Sequence, residues 1–539
     1  MRNKILNSFV IVAIAFMAIN CANRGMPSGG EKDTEPPQVL KAEPANFSTN
    51  FKGKEIKIYF DEYIKLKNLQ KQLIISPPMK TQPEILPLGG ASKRITIKIF
   101  DTLQPNRTYA FNFGQSVVDN NEENPFPFYR YVFSTGDYID SLTVRGEIYD
   151  AEKRKPEEFV SVMLYEKDSS YTDSIVYKEY PKYVTNTLDS TTTFTLENLK
   201  AGTYKLIALK DENLNNKYDQ SSDKIGFLKG FITVPTDTVY NLTLFKEVQD
   251  FNVSRASQVS GSRIAFGYAG NPDSLQIDLI SPKPDSLKYR ITRDPKADTL
   301  YYWHTPKFKA DSIMFNVANK VYNYKKDSLV VRMKDMYKDS LTLKVTPKGS
   351  IAFNEEVVIT ANTPLENFDK NLVTLINRDS ADVAYTVKKD QTQNQFVIHF
   401  DKVESEAYNM QLLPGAITDM LENTNDTINQ TFRTKTYLDY GNLRVMVQNA
   451  QYPIIVQLTN DKGEVLVEKY SEKPEPIDFV YLDPKSYFLR VVYDANANGK
   501  WDSGNYLEQQ QPERISYYPK EIEDVRAGWD SVIEFTLLE

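Results

Sequence analysis

The sequence predicts an all-β protein built from tandem β-sandwiches. Short segments such as residues 56–60 (IKIYF), 95–99 (ITIKI) and 109–113 (YAFNF) alternate apolar and polar residues with a period of two, which places successive side chains on opposite faces of a strand. A recurring Asp-Ser pair followed by an aliphatic residue is typical of turns that lead into strands. No stretch keeps a helical period over more than about three turns.

Composition and charge exclude several classes of function. The chain has 65 basic and 72 acidic residues, a net charge of −7, and no basic block, so nucleic acid is not an expected partner, because phosphate recognition needs clustered cations. One cysteine and two histidines exclude a disulfide framework, a Cys/His zinc site and a Cys–His nucleophilic centre. His399 lies in an alternating strand-like segment, and we expect it to be an ordinary strand residue. His304 follows three aromatic residues, and we expect core or edge packing there rather than an aromatic sugar-binding platform. No carboxylate pair stands out as a glycosidase pair, so we expect no enzymatic activity.

The N-terminus is predicted to be a secretory signal that ends at a lipid anchor. Arg2 and Lys4 precede an apolar run of eleven residues, 9–19, which is too short for the about 20 residues that span a bilayer. Cys21 follows directly, and the segment 18–21 (AINC) resembles a lipobox. We therefore expect an acylated Cys21 that binds the lipid of the outer membrane.

The residues after Cys21 are predicted to be a tether. Residues 22–37 are rich in Gly, Pro, Ser and charge and have no apolar period. A flexible chain of this length has a typical end-to-end distance of about 20–25 Å. The first folded domain is therefore expected to lie close to the membrane surface.

The clearest internal repeat relates two segments offset by 283 positions. In both copies an apolar strand ends at an Asp, and a polar loop follows. The matched residues are Leu199, Tyr204, Asp211 and Asp219 in the first copy and Leu482, Tyr487, Asp494 and Asp502 in the second.

The two repeated loops resemble the first part of an EF-hand calcium loop. Oxygen-bearing side chains fall at loop positions 1, 3, 5 and 9, and position 6, which must turn sharply, is Asn216 or Gly499. Position 12, which should be a bidentate Glu, is Ser222 or Asn505. The two loops can be interpreted as structural calcium sites or as simple Asn-rich turns. Their repetition favours calcium as a structural cofactor.

The candidate metal ligands include two lysines that offer only a backbone carbonyl and two carboxylates that could replace the missing Glu, Asp223 and Glu508. The full candidate set is Asp211, Asn213, Asn215, Lys217, Asp219 and Asp223 for the first loop and Asp494, Asn496, Asn498, Lys500, Asp502 and Glu508 for the second.

Two kinds of unit resemble known domain families. Residues 36–39 (PPQV), 58–62 (IYFDE) and 133–136 (FSTG) resemble the bacterial Ig-like domain of the S-layer-protein type, and a degenerate copy from about residue 350 closes on residues 432–434 (FRT). Residues 201–206 (AGTYKL) resemble the Gly-Thr-Tyr signature of prealbumin-like or collagen-adhesin B-type sandwiches.

The chain of 539 residues is several times as long as the ~100–200 residues of one domain. These resemblances divide it into seven segments. The predicted segments are a lipoprotein signal peptide (1–20), the acylated Cys21 with its flexible tether (21–37), a bacterial Ig-like domain (38–137), a prealbumin-like β-sandwich with the first Asp/Asn loop (138–248), an unassigned β-sandwich (249–349), a degenerate Ig-like domain (350–438) and a prealbumin-like β-sandwich with the second Asp/Asn loop (439–539).

As a whole, the chain resembles the Ig-like-domain lipoproteins of Bacteroidota. The Cys21 segment, residues 29–33 (GGEKD), the 133–136 closure and the 494–502 loop carry this resemblance. It implies a protein anchored in the outer membrane without known catalysis, and it leaves the periplasmic and the cell-surface face both open. We expect a structural or interaction subunit of an envelope complex, such as one for outer-membrane protein assembly or secretion, with protein partners. The alternative is a surface glycan-binding or adhesive protein.

Overall fold

The computed structural model describes residues 33–155, 157–188, 192–281, 283–523 and 525–538. The predicted signal peptide, Cys21 and the tether up to residue 32 lie outside the described residues. Within them, no helix is long and apolar enough to cross a membrane.

The all-β prediction is confirmed. The described residues form 41 strands, one α-helix of four residues, α1 (Leu69–Gln72), and three short 3-10 helices at Asp173–Tyr177, Lys370–Leu372 and Tyr437–Asp439. The strands belong to two compact units. Among the described residues, unit 1 contains 33–143, 182–188 and 196–201, and unit 2 contains 144–181, 192–195 and 202–538.

The first sandwich lies in unit 1 and has two sheets around one core. One sheet has the order β1-β2-β5-β4 with β7 beside β2, and the other has the order β3-β6-β8. Ile56 and Ile58 from one sheet and Phe111 and Phe133 from the other are fully buried in the same cluster, as the period of two predicts. The strands are β1 (Val39–Glu43), β2 (Glu55–Leu66), β3 (Ile74–Ser76), β4 (Glu84–Leu86), β5 (Ser92–Lys98), β6 (Thr108–Asn112), β7 (Val117–Asp119) and β8 (Arg130–Ser134).

The second sandwich contains the first copy of the repeat. Within unit 2, β10 pairs antiparallel with β13, β13 also pairs with β14 and β15, and β9 pairs parallel with β16. The strands in this stretch of the chain are β9 (Leu142–Asp150), β10 (Ser161–Glu166), β11 (Tyr183–Asn186), β12 (Thr193–Leu199), β13 (Gly202–Lys210), β14 (Lys224–Phe227), β15 (Ile232–Val234) and β16 (Val239–Leu244). Of these, β11 and residues 196–199 of β12 are assigned to unit 1.

The third sandwich follows in unit 2. One sheet has the order β17-β19-β22-β21 with β18 beside β19, and the other has the order β20-β23-β24. Phe266 and Phe315 meet edge to face in its core, with ring centroids 5.2 Å apart, and His304 is fully buried in β22. The strands are β17 (Asn252–Val253), β18 (Ser257–Ser260), β19 (Arg263–Ala269), β20 (Leu275–Ser281), β21 (Lys288–Arg293), β22 (Thr299–Thr305), β23 (Ser312–Asn319) and β24 (Tyr324–Arg332).

The fourth sandwich contains the same kind of turn as the first. Asp119 and Asp419, each 1% exposed, both accept hydrogen bonds from the backbone N–H groups of the residues that follow them. The sheet orders are β25-β27-β31-β30, β26-β34-β32-β29 and β28-β33. The strands are β25 (Leu343–Thr346), β26 (Gly349–Ser350), β27 (Val357–Ala361), β28 (Leu365–Phe368), β29 (Val373–Ile376), β30 (Tyr385–Asp390), β31 (Gln395–Phe400), β32 (Ala407–Leu412), β33 (Ile417–Asp419) and β34 (Ile428–Arg433).

The fifth sandwich repeats the pairing of the second. Its first and last strands, β35 and β41, pair in parallel as β9 and β16 do, and β36 pairs antiparallel with β39 as β10 does with β13. The repeat of the sequence is therefore also a repeat of the fold. The strands are β35 (Gly441–Gln448), β36 (Ile454–Thr459), β37 (Val465–Ser471), β38 (Ile477–Leu482), β39 (Phe488–Tyr493), β40 (Ile515–Tyr517) and β41 (Asp530–Thr536).

Candidate functional site

Two loops with the same backbone path leave matched strands of the second and fifth sandwiches. The first loop (residues 211–219) follows β13, and the second loop (residues 494–502) follows β39. Position 4 has a left-handed φ in both loops, 54° at Leu214 and 59° at Ala497, and so has position 6, with 56° at Asn216 and 73° at Gly499. The sharp turn expected at position 6 is therefore present in both copies.

The first Asp of each loop is buried and binds the loop backbone. Asp211 is 6% exposed and Asp494 is 1% exposed. Oδ2 of Asp211 accepts the N–H of Asn216 at 2.6 Å, and Oδ2 of Asp494 accepts the N–H of Gly499 at 2.8 Å. These hydrogen bonds fix the orientation of each carboxylate and hold position 6 in its turn.

The two loops differ at the other oxygen of this Asp. In the second loop Oδ1 of Asp494 accepts the N–H of Asn498 at 3.0 Å. In the first loop Oδ1 of Asp211 is buried and has no hydrogen-bond partner among the described residues. Burial raises the pKa of Asp211, and backbone N–H groups oppose that rise. A buried carboxylate oxygen without a partner is costly, and a cation would satisfy it.

A second carboxylate from outside each loop joins the two ends of the loop. Asp223, which is fully buried, accepts the N–H of loop position 2 at 3.1 Å with one oxygen and that of position 9 at 2.8 Å with the other. Glu513 does the same in the second loop, at 2.8 and 3.0 Å. Glu513 is thus the structural counterpart of Asp223.

Glu513 was not among the predicted site residues. Glu508, the predicted substitute, instead lines a cavity of about 370 Å³ together with Glu247 and Asp250. Spacing alone favoured Glu508 because it is closer to the loop along the chain. The signal that could have found Glu513 is its place near the start of the next strand: Asp223 directly precedes β14, and Glu513 lies two positions before β40.

The asparagines of the second loop converge on its last Asp. The side-chain N–H groups of Asn496 and Asn498 both donate to Oδ2 of Asp502. Oδ1 of Asn498 accepts the backbone N–H of Lys500 at 2.8 Å. Four of the predicted residues of the second loop therefore lie together.

The first loop is less convergent. Oδ1 of Asn215 accepts the backbone N–H of Lys217 at 2.8 Å, matching the second loop. Asn213 donates instead to Oγ of Ser222, and Asp219 accepts the N–H and the hydroxyl of Ser221. No group of three or more Asp, Glu, His or Cys side chains in the described ranges is placed to hold a metal. A cation would therefore need amide or carbonyl oxygens in addition to the two carboxylates.

A buried ammonium lies near the first loop. The Nζ of Lys246 is buried, and the described part of the chain offers it no hydrogen-bond acceptor. Burial lowers the pKa of Lys246, and the nearby charges of Asp223 and Asp219 oppose that change. Lys246 thus offsets part of the negative charge of the first loop.

The residues that follow the second loop dock on the second sandwich. This docking segment, residues 503–511, contacts the second sandwich through hydrogen bonds to side chains and backbone carbonyls, all within unit 2. Ser503 donates to the carbonyl of Lys246, and Gln511 donates to the carbonyl of Phe227 at 2.8 Å. The residues on either side of the docking segment are joined by a hydrogen bond, in which the backbone N–H of Glu513 donates to the carbonyl of Asp502 at 2.9 Å.

Lys205 of the second sandwich is buried under the docking segment. It is 2% exposed, and burial lowers its pKa. Its Nζ donates to the carbonyl of Leu228 at 2.7 Å and to Oε1 of Gln509 at 2.9 Å. The aromatic rings around it, at 5.4, 5.8 and 6.0 Å from Nζ to the centroid, are those of Phe227, Phe231 and Tyr506, a geometry suited to cation–π interaction.

Glu247 links the first loop to the docking segment. Glu247 is 4% exposed. Its Oε2 accepts the hydroxyl of Tyr218, at position 8 of the first loop, at 2.6 Å. Its Oε1 accepts the backbone N–H of Tyr506. One carboxylate therefore binds both elements.

Comparison with known proteins supports the assignment of the first sandwich. Residues 33–135 match the family model of the bacterial Ig-like domain, which confirms the Ig-like resemblance there. No curated protein sequence gives a significant match.

Three solved structures illustrate what the chain is similar to. Surface layer protein SbsC, domains 1–6, is 11% identical with a TM-score of 0.16, covering 91% of this chain and 67% of that one. The Bacillus anthracis TIE protein is 10% identical with a TM-score of 0.14, covering 95% and 75%. Extracellular cadherin domains 1–5 of protocadherin gamma B2 are 10% identical with a TM-score of 0.12, covering 87% and 93%. Scores this low do not indicate a shared domain arrangement.

We expect Gly499→Val to destabilise the second loop. The φ of 73° is unfavourable for a β-branched residue, while a Cβ at this position meets nothing within 4 Å, so the effect isolates backbone conformation. The expected loss is about 1–2 kcal/mol in the free energy of opening the loop, measured by hydrogen exchange of peptides that cover the loop. Gly90→Val is the control, because its Cβ also meets nothing and its φ is not left-handed. Equal exchange in both variants and the parent would contradict the backbone argument.

Proposed function

We propose that this chain is a non-catalytic lipoprotein, anchored in the outer membrane through Cys21, that serves as a structural or interaction subunit of an envelope complex. The Ig-like domain and the all-β architecture favour a structural or adhesive role over a catalytic one. The sequence around Cys21 supports the anchor and the location.

The observation that carries this proposal is the side-chain packing between sandwiches of unit 2. The buried Lys205 and Glu247 take partners from the docking segment of the fifth sandwich. Sandwiches joined by flexible linkers alone would leave such groups solvated, so the contacts support a body that holds its strands and loops in fixed positions for a partner.

The same kind of contact joins the other sandwiches of unit 2. The ring of Phe353, in the fourth sandwich, stacks on Tyr437 at 4.4 Å and lies 5.1 Å from Tyr481 of the fifth. Arg290 of the third sandwich donates to the carbonyl of Leu365 and pairs with Glu366 of the fourth. Successive modules are thus fixed by specific side chains.

In this proposal the two loops hold calcium as a structural cofactor. Asp211 and Asp223 in the first loop, and Asp494 and Glu513 in the second, would supply the carboxylates, with the Asn side chains and loop carbonyls supplying neutral oxygens. Few formal charges at each site favour the modest affinity of extracellular modules, with Kd of about 10⁻⁴–10⁻³ M.

A glycan-binding role is the second candidate, and one cavity favours it. A cavity of about 840 Å³ is bounded by the second and fifth sandwiches. Its walls carry two aromatic rings, amide and hydroxyl groups and a guanidinium, from Tyr149, Tyr517, Asn241, Thr243 and Arg514. Its size falls within the ~300–1,000 Å³ of ligand sites.

We expect calcium to stabilise the protein against heat. At 10 mM calcium, about ten to a hundred times the expected Kd, the gain is about 1.4–2.7 kcal/mol for each loop that binds calcium, measured as a rise of the melting temperature that a chelator reverses. Asp211→Ala and Asp494→Ala are each expected to remove one bound calcium by titration calorimetry. Asp237→Asn, at an exposed position of the second sandwich, is the control. A melting temperature indifferent to calcium and chelator, with no heat of binding, would leave the loops as Asn-rich turns.

The function itself is tested on the full chain in a Gram-negative cell. We expect the parent, but not Cys21→Ser, to incorporate labelled palmitate and to fractionate with the outer membrane. Affinity purification from detergent-solubilised membranes is expected to recover a complex of constant composition. Recovery of a monomer alone would contradict the subunit role. Removal of the protein from intact cells by a protease, together with binding to a glycan array, would favour the glycan-binding role.

A further inference from the structure

We propose that a cation in the first loop controls how firmly the docking segment of the fifth sandwich holds the second sandwich, through Tyr218 and Glu247. This inference rests on the proposed calcium-binding function of the first loop and adds a regulatory role to it. The relay consists of Asp211, Tyr218, Glu247 and the backbone N–H of Tyr506.

The first step is the site of the cation. Asp211 is 94% buried, being 6% exposed, and its Oδ2 is bound to the N–H of Asn216. Its Oδ1 is buried without a partner in the described residues. The N–H groups of Leu214 and Asn215 lie near the carboxylate but donate no hydrogen bond to this oxygen, so a group from outside the loop can bind it. A divalent cation fits, because Asp223, which binds the N–H of the residue next to Asp211, adds a second carboxylate nearby.

The second step is the effect of a cation on the loop. Asp223 already holds the two ends of the loop, because it accepts the N–H groups of Glu212 and Asp219. Asp211 and Asp223 lie close together, since Asp223 binds the N–H of the residue next to Asp211, and their like charges repel each other. A cation removes the repulsion and lets both carboxylates stay in place. The residues between them, which include Tyr218, then have one fixed position.

The third step leads from the loop to Glu247. Tyr218 is 4% exposed. Its backbone N–H donates to the carbonyl of Val176 at 2.9 Å, its ring lies 5.2 Å from the ring of Tyr177, and its hydroxyl donates to Oε2 of Glu247 at 2.6 Å. The position of the loop therefore decides whether Glu247 has this donor.

The fourth step leads from Glu247 to the docking segment. Oε1 of the same carboxylate accepts the backbone N–H of Tyr506. A buried carboxylate needs donors on both oxygens to stay buried and charged. Oε2 also accepts the side-chain amide N–H of Gln220 at 3.3 Å, so loss of the shorter hydrogen bond from Tyr218 weakens the orientation of Glu247 and its hold on Tyr506 without removing every donor. The cation and the docking segment are coupled because one side chain serves both.

Hydrogen exchange of the full-length protein tests this coupling. We expect calcium, added after chelation, to slow exchange of the peptide that covers residues 503–511 by about tenfold in the parent, which is the size of one hydrogen bond to a charged group. Tyr218→Phe keeps the ring but removes the hydroxyl. This variant is expected to bind the same number of calcium ions by calorimetry and to lose the calcium-dependent slowing. Tyr177→Phe is the matched control, in the neighbouring ring, and is expected to keep it.

The outcomes separate this inference from the proposal on which it rests. Full slowing in Tyr218→Phe would overturn the relay. A parent that binds calcium without any change of exchange at residues 503–511 would overturn the inference and leave the structural calcium site standing. A parent that binds no calcium would overturn both. If Tyr218→Phe does not fold, Glu247→Gln replaces it, with the same expected loss of the calcium-dependent slowing.

Discussion

The burial of Lys205 and Glu247 beneath the docking segment is the interaction on which unit 2 depends. Both side chains are almost fully buried, and each takes one of its partners from residues 503–511. A hydrogen bond between a charged group and a neutral partner contributes about 1.5–3 kcal/mol. The second sandwich therefore carries two charges that are fully satisfied only while the fifth sandwich is docked, and the two copies of the repeat stabilise each other.

The docking segment exists because one copy of the repeat is longer than the other. Three residues, 220–222, separate the first loop from Asp223, whereas ten residues, 503–512, separate the second loop from Glu513. In both copies the returning carboxylate binds the same two loop positions. The additional residues of the second copy therefore lie between two contacts that both copies share, and they extend toward the second sandwich.

Local patterns in the sequence predict the sandwiches and the loop turns but not the contacts between modules. The period of two places Ile56 and Ile58 correctly in a core, and the residue type at position 6 predicts the left-handed turns, because both follow from neighbouring residues. Lys205 lies in β13, which is buried along most of its length, and no local pattern shows that a lysine there is covered by residues 300 positions away. Glu513 was missed for the same reason, since its role depends on how far the docking segment extends.

Lysine reactivity in the native full-length protein shows whether the fifth sandwich covers the second. An amine-reactive reagent with mass-spectrometric readout reports Lys205 against the exposed Lys229 in the same sandwich. We expect Lys229 to react promptly, Lys205 to stay unmodified, and a Tyr506→Ala/Gln509→Ala variant to make Lys205 reactive. Modification of Lys205 in the unaltered chain as fast as Lys229 would contradict the docked arrangement.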